Sequence, residues 1–245
     1  MKRPSLLINA RELLDLARTA GARKGLLYTV RTAIRRLCRY WHRKLFRSTW
    51  TFSLQGISYR YFYHLYNQTW ETERTVEIPI IWKVVQANSG KRILEVGNVL
   101  SHYFLISHDI LDKYEHDAGV INDDVVDFQP AQKYDLIVSI STLEHVGWDE
   151  PTRDPHKVAR AIENLKDCLA PGGSLVFTVP HGYNTALDKS LELQQLGLTR
   201  CLYLKRLTKD NRWVEASQQE IADLRYNSPF PAANAIVVGS IKRES

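Results

Sequence analysis

The sequence predicts an α/β protein, a doubly wound and mostly parallel sheet preceded by a basic helical extension. Three observations carry this expectation. From Lys91 onward, short apolar runs alternate with helical periodicity, as in parallel sheets with helices on both faces. Basic residues crowd the N-terminus: residues 1–50 hold 13 Lys or Arg against Glu12 and Asp15, whereas the rest holds 20 basic and 25 acidic residues. The 245 residues are 44% hydrophobic and 24% charged, which suits one large globular domain with an extension and excludes wholesale disorder. The expected division is 1–48 for the extension and 49–245 for the main domain, itself a lead-in over 49–89 and a core over 90–245.

In the extension, Leu26, Leu27, Val30, Ile34, Leu37, Trp41 and Leu45 recur at three- and four-residue steps and form one apolar stripe. Arg31, Arg35, Arg36, Arg39, Arg43 and Arg47 occupy much of the remaining circumference. A basic amphipathic helix suits peripheral contact of residues 23–47 with an anionic membrane, with Tyr40 and Trp41 at the interface. A helix packed on its own domain and a nucleic-acid arm are the alternatives, the last disfavoured by the acidic main domain. No apolar run approaches the roughly 18 residues needed to cross a bilayer. Arg11 and Glu12 interrupt the first apolar stretch, so no signal peptide is expected. Cys38, Cys168 and Cys201 lack metal or redox spacing, which suits inert thiols in a reducing cytoplasm and implies no metal site.

Thr51–Leu54 and Ile57–Tyr61 suit a hairpin about Gln55-Gly56. The aromatics Tyr59, Tyr61, Phe62, Tyr63, Tyr66 and Trp70 then cover a core edge or line a pocket. A helix is expected from about Glu77 to Ala87, with Pro79 in its first turn. Strands follow at Arg92–Val96, Asp109–Tyr114, Gly119–Asn122, Tyr134–Ser139 and Ser174–Val179. A helix is expected over 156–169, a turn at Ala170-Pro171-Gly172-Gly173, and late strands at Arg200–Leu207 and Ala235–Ile241. Ligands of such sheets bind beyond the carboxyl ends of the strands. Glu95, Gly97, Asp112, Glu115, Asp124 and Asp127 stand at those ends, where a glycine admits close approach and carboxylates accept from hydroxyl or amino groups.

The runs ILEVGNVLSHY, GVINDDVVDF, YDLIVSISTLEHVGWDE and LAPGGSLVFTVPHGYN resemble class I S-adenosylmethionine-dependent methyltransferases, nearest the type 11 branch and bacterial proteins sharing the EVGNVLSHY loop. The resemblance covers about residues 90–185 and implies a Rossmann-like fold that binds S-adenosyl-L-methionine. It implies that Glu95, Gly97 and Asn98 lie in the loop holding the methionine portion, that Asp112 (or Glu115) binds ribose, and that Asp124 sits by the adenine. The loop departs from the usual acid-x-Gly-x-Gly-x-Gly, since Asn98, Val99, Leu100 and Ser101 follow Gly97.

Methyl transfer to a hydroxyl needs a base. Glu144 and His145 follow one buried strand, and His181, Tyr183 and Asn184 follow the next, so both groups are expected to face the transferred methyl, with His181 as the favoured base. The expected activity is O-methylation of a small-molecule or glycan-like acceptor by a cytoplasmic enzyme with peripheral membrane contact. The alternatives are an inactive scaffold of this fold at a membrane and an RNA methyltransferase using the basic arm. Against the latter, no Asn-Pro-Pro-Tyr-type motif follows YDLIVS.

Overall fold

The computed structural model describes residues 22–244, with side chains from residue 30 onward. A long helix α1 (Ala22–Phe46) precedes a hairpin of β1 (Thr51–Leu54) and β2 (Ile57–Arg60) and helix α2 (Arg74–Ala87). The core then runs β3 (Ile93–Val96), β4 (Asp109–Leu111), β5 (Val120–Ile121), β6 (Tyr134–Ile140), α3 (Lys157–Cys168) and β7 (Leu169–Pro180). It closes with α4 (Thr185–Glu192), β8 (Arg200–Arg206), β9 (Trp213–Ala216), a one-turn α5 (Gln218–Ile221) and β10 (Ala235–Lys242).

Eight strands form one sheet in the order β5-β4-β3-β6-β7-β10-β8-β9. The first five pair in parallel, while β10 runs antiparallel to both of its neighbours and β9 is antiparallel to β8. This is the expected Rossmann-like doubly wound sheet. The chain leaves β3 toward β4 and β5 and returns to the other side of β3 as β6, so the crevice beyond the β3 and β6 ends is the switch point where ligands bind.

Alternation along the strands divides the core into layers. Leu136, Val138 and Ile140 of β6 pack with Ile78, Ile81 and Val85 of α2. Ile137 and the Leu94 and Val96 pair of β3 face the opposite side, against Val158, Ile162 and Leu165 of α3 and Leu187 of α4. The lead-in covers the antiparallel end of the sheet, where Phe52, Leu54, Tyr61, Val76 and Ile80 pack on Leu204, Trp213 and Ile236.

Strand β4 stops at Leu111, short of the expected Tyr114, α4, β9 and α5 go beyond what the sequence predicts, and α2 and β7 differ in their bounds. Helix α2 begins at Arg74, so Pro79 falls beyond the first turn. Its ring denies Thr75 O the usual helical donor, and Phe62 N donates to that carbonyl at 2.9 Å instead. Ala170–Gly173 is an irregularity within β7 and not a separate turn: the partners jump from Tyr134↔Leu169 to Leu136↔Ser174, with the extra residues bulging between.

Helix α1 is docked by one flank. Tyr40 is buried with its ring centroid 5.8 Å from that of Trp70, and Arg43 and Arg47 pair with Asp210. The apolar stripe lies roughly 100–160° away around the helix, and Val30, Ile34, Leu37, Trp41 and Leu45 remain 44–67% exposed. Tyr40 therefore serves the domain contact and is not at the free surface with Trp41, because the docked face runs through positions 40, 43 and 47. The side chains of Leu26 and Leu27 lie outside those described.

Tyr61 fastens the lead-in to the sheet. Its hydroxyl accepts from Trp213 N at 2.8 Å and donates to Trp213 O at 3.4 Å, both buried. Tyr61→Phe is expected to lower unfolding free energy by about 1–3 kcal/mol in urea titrations, the cost of stranding a buried donor.

Candidate active site

A cavity of about 540 Å³ opens at the switch point, lined by Gly97, Leu111, Asp112, Asp124, Val125 and His145 among others. Its floor is built by backbone hydrogen bonds to carboxylates. Glu95, fully buried, takes Val99 N at 3.0 Å and Leu100 N at 2.7 Å on one oxygen, and its other oxygen lies 2.9 Å from His108 Nε2. The chain turns at Gly97 with φ +86°, and a Cβ there would lie 2.1 Å from Thr142 Oγ1. Only glycine fits the loop after β3 against the loop after β6. Asn98 joins this loop to the next: its N donates to Asp112 Oδ2 at 3.1 Å and its Nδ2 to Glu115 Oε1 at 2.8 Å.

Asp112 also accepts Tyr114 N and Glu115 N, each at 2.9 Å on Oδ1. Of the four or so acceptor positions of a carboxylate, one on Oδ2 stays open at the cavity. Asp124 is more heavily engaged, with Lys113 Nζ at 2.8 Å and Lys157 Nζ at 2.6 Å on the same oxygen. Partial burial opposes its ionisation, but the two lysine hydrogen bonds outweigh burial and hold its carboxyl down at about 2. Lys157 also reaches Glu150 at 2.7 Å, which closes a network at this end of the cavity.

A second cavity of about 270 Å³ is lined by Asn67, Glu73, Arg74, Glu144, Tyr183 and Tyr226, and His145 lines both cavities. His145 Nδ1 lies 2.5 Å from Asp149 Oδ2, the oxygen that also receives Tyr183 OH at 2.6 Å. Burial works against ionising Asp149, but Tyr183 and His145 outweigh it and hold its carboxyl below the ordinary range. An ionised Asp149 places the imidazole proton on Nδ1 and leaves Nε2 as an acceptor. That Nε2 lies 3.5 Å from Glu144 Oε1. Glu144 is 1% exposed, its Oε2 has no hydrogen-bond partner, and burial pushes its carboxyl well above the ordinary range. Behind the cavity, Arg74 pairs with Glu77 at 3.0 Å, and Glu77 accepts Ser141 Oγ at 2.6 Å. Ser141 has a φ of +38°, a strained position at the end of β6.

His181 is not brought to this space. Residues alternate faces at the end of β7; Pro180 lines the second cavity, so His181 turns to the other side, toward Asp188 at 3.2 Å and a separate cavity with Leu191, Tyr203 and Ile221. Asn184 caps α4 and donates to Glu144 O at 2.9 Å, and Tyr183 reaches the site through Asp149. Sequence reasoning missed Asp149, Lys157, Arg74 and Tyr226. The four-residue step from His145 to Asp149 is a signal that could have found the first; the others join the site from elements remote in sequence.

The cavity fits S-adenosylmethionine in donor set and size. Carboxylates at two strand exits suit ribose hydroxyls and a cationic sulfur, Leu111, Val125 and Val146 offer apolar walls, and the volume lies in the usual range for ligand sites. The fold and this cavity define the class of S-adenosylmethionine-dependent methyltransferases. The sequence matches a family described as a methyltransferase domain over residues 85–218, and the chain belongs to that family. Among solved structures, the N-methyltransferase NodS from Bradyrhizobium japonicum WM9 in complex with S-adenosyl-L-homocysteine is 15% identical, with 71% of this chain and 88% of that one covered at a TM-score of 0.44. A Thermotoga maritima protein described as a possible histamine N-methyltransferase is 13% identical, with 73% and 95% covered at a TM-score of 0.43. No curated protein matches the sequence. The chain is an S-adenosylmethionine-dependent methyltransferase.

The Asp124 network carries a pH signature. Its folded pKa lies below its unfolded value near 3.9, so its contribution is complete above about pH 5 and is lost as pH falls through the folded value. Lys157→Met is expected to destabilise the protein by roughly 0.5–1 kcal/mol at pH 7, as for a partly exposed network. In urea titrations the difference from wild type should shrink as pH falls from 5 toward 3.

Proposed function

We propose that this methyltransferase binds its donor in the larger cavity and methylates a hydroxyl of a small-molecule or glycan-like acceptor held in the smaller one, with His145 as general base. The observation that carries this reading is that His145 lines both cavities while Asp149 holds its ring. S-adenosylmethionine supplies an electrophilic methyl group on a cationic sulfur. In this reading Gly97 lets the backbone approach the methionine portion, Asp112 accepts a ribose hydroxyl beside Glu115, and Asp124 borders the adenine end. Glu95 and Asn98 hold the loops that present these groups and do not themselves touch the donor.

The acceptor hydroxyl gives its proton to His145 Nε2, while the Asp149 carboxylate and the Tyr183 hydroxyl keep the ring aligned. Alignment of the two reactants can supply roughly 7–11 kcal/mol, and a base adds about 10²–10⁴-fold. Tyr183 and Tyr226 give the acceptor cavity flat apolar walls with polar tips, and burial pushes the Tyr226 hydroxyl up to about 12, which keeps it a neutral donor.

Calorimetry with S-adenosyl-L-homocysteine and transfer of labelled methyl to fractionated cell extract test these assignments. Gly97→Val is expected to abolish homocysteine-analogue binding, and His145→Ala to lower turnover by about 10²–10⁴-fold with affinity nearly unchanged. Unaltered turnover in His145→Ala would remove it from the mechanism.

A second reading concerns the extension, which we take as residues 1–48 ahead of a methyltransferase domain of 49–245. The exposed stripe of α1 supports peripheral attachment of a cytoplasmic enzyme to an anionic membrane. Among the described residues no helix is long and apolar enough to cross a membrane. Replacing Ile34, Leu37 and Trp41 together by Ser is expected to abolish flotation with anionic vesicles at low salt. Equal flotation of both proteins would leave α1 without a membrane role.

A further inference from the structure

Between α1 and the domain lies a cavity of about 660 Å³, lined by Arg39, His42, Arg43, Arg47, Arg206 and Lys209, with the carboxylates of Glu71 and Asp210 at its wall. Five permanent cations face two anions there, and those two are already engaged. Arg39 holds Glu71 at 2.7 Å, and Asp210 is shared between Arg43 at 3.7 Å and Arg47 at 3.1 Å. Arg206 is 5% exposed and donates to the carbonyls of Glu71, Thr208, Lys209 and Pro231, without an ion-pair partner among the described residues. Arg47 Nη1 is buried without an acceptor.

These cations are crowded against one another. Burial above all, and Arg47 next, makes Arg43 easier to deprotonate than a free arginine, and burial does the same to Arg206, with Arg43 adding to it. An anion between them would offset both effects. Arg47 Nη1 and the Lys209 ammonium keep open N–H donors at one concave space ringed by further guanidinium charge, which suits the oxygens of phosphate. We propose that this cavity binds the phosphate or diphosphate group of a soluble molecule, at a site separate from both the donor and acceptor cavities. Neither the base assignment nor membrane attachment is needed for it.

The helix geometry distinguishes a soluble source from a lipid headgroup. At 3.6 residues per turn, Arg39, His42 and Arg43 lie roughly 100–200° around α1 from the centre of the stripe. A bilayer that receives Ile34 and Trp41 would leave the cavity mouth facing away from it. The wall is also shared: Glu71 lines this cavity, and Thr72 and Glu73 line the acceptor cavity.

Titration of the full chain with inorganic pyrophosphate at low ionic strength, followed by calorimetry, tests the site. One saturable site is expected, weakened about tenfold in Lys209→Gln and more in Arg43→Gln, the scale of losing one charge-assisted hydrogen bond. Lys209 is exposed and makes no side-chain bond among the described residues, so its replacement leaves folding intact even where Arg43→Gln does not. Pyrophosphate affinity should be unchanged by saturating phosphatidylglycerol or phosphatidic acid vesicles. Absence of saturable binding, or equal affinity in wild type and Lys209→Gln, would overturn the site. Displacement by phosphatidic acid but not by phosphatidylglycerol would overturn the soluble source and assign the cavity to a headgroup.

Discussion

The side chain of Glu95, wholly buried near the centre of the sheet, receives the backbone N–H groups of Val99 and Leu100 and meets His108 on its other oxygen. The geometry of the donor cavity follows from that anchoring. Where related loops use repeated glycines, this one turns once at Gly97 and then runs through Asn98 and Val99 into a short 3₁₀ turn at Leu100–His102. Its freed N–H groups find no water in the core, so the carboxylate must be their acceptor. With that loop fixed, Asn98 can hold Asp112 and Glu115, and Gly97 can lie against Thr142 of the loop that carries His145.

Charge is separated along the molecule with some economy. The larger cavity is bordered by carboxylates whose lysine partners are drawn from the loop after β4 and the start of α3, and the smaller one by buried acids around a single guanidinium. The positive excess of the N-terminal helix is kept on the far side of residues 71–73. A cationic ligand in the larger cavity would thus meet a negative surround.

Much of the fold was legible because buried strands are short apolar runs with little ambiguity, as in Tyr134–Ser139 and Ser174–Val179. Glu95, Gly97 and Asp112 were legible for a related reason, since they sit at the exits of those strands. The direction of a side chain beyond a strand end was not. His181 missed the site because one residue of alternation separates it from Pro180. Tyr40 and Trp41 are adjacent in sequence yet part company, because the docked flank of α1 is chosen by Trp70, which meets Tyr40, and by Asp210, which lies 163 residues from its partner Arg47. The early start of α2 was hidden by Pro79, whose helical carbonyl is satisfied from a distant residue.

The strand that completes the sheet from within, β10, comes last in chain order among the described strands. Residues 235–242 insert between β7 and β8, so each of those strands presents a bare edge until this later segment has been made. The hairpin and the first half of α2, made early, have their packing partners on β8 to β10 and must wait for them. Until β10 is in place, β7 and β8 each carry an unpaired edge that invites association. Shortening β10 would therefore strike the interior of the sheet and not its margin.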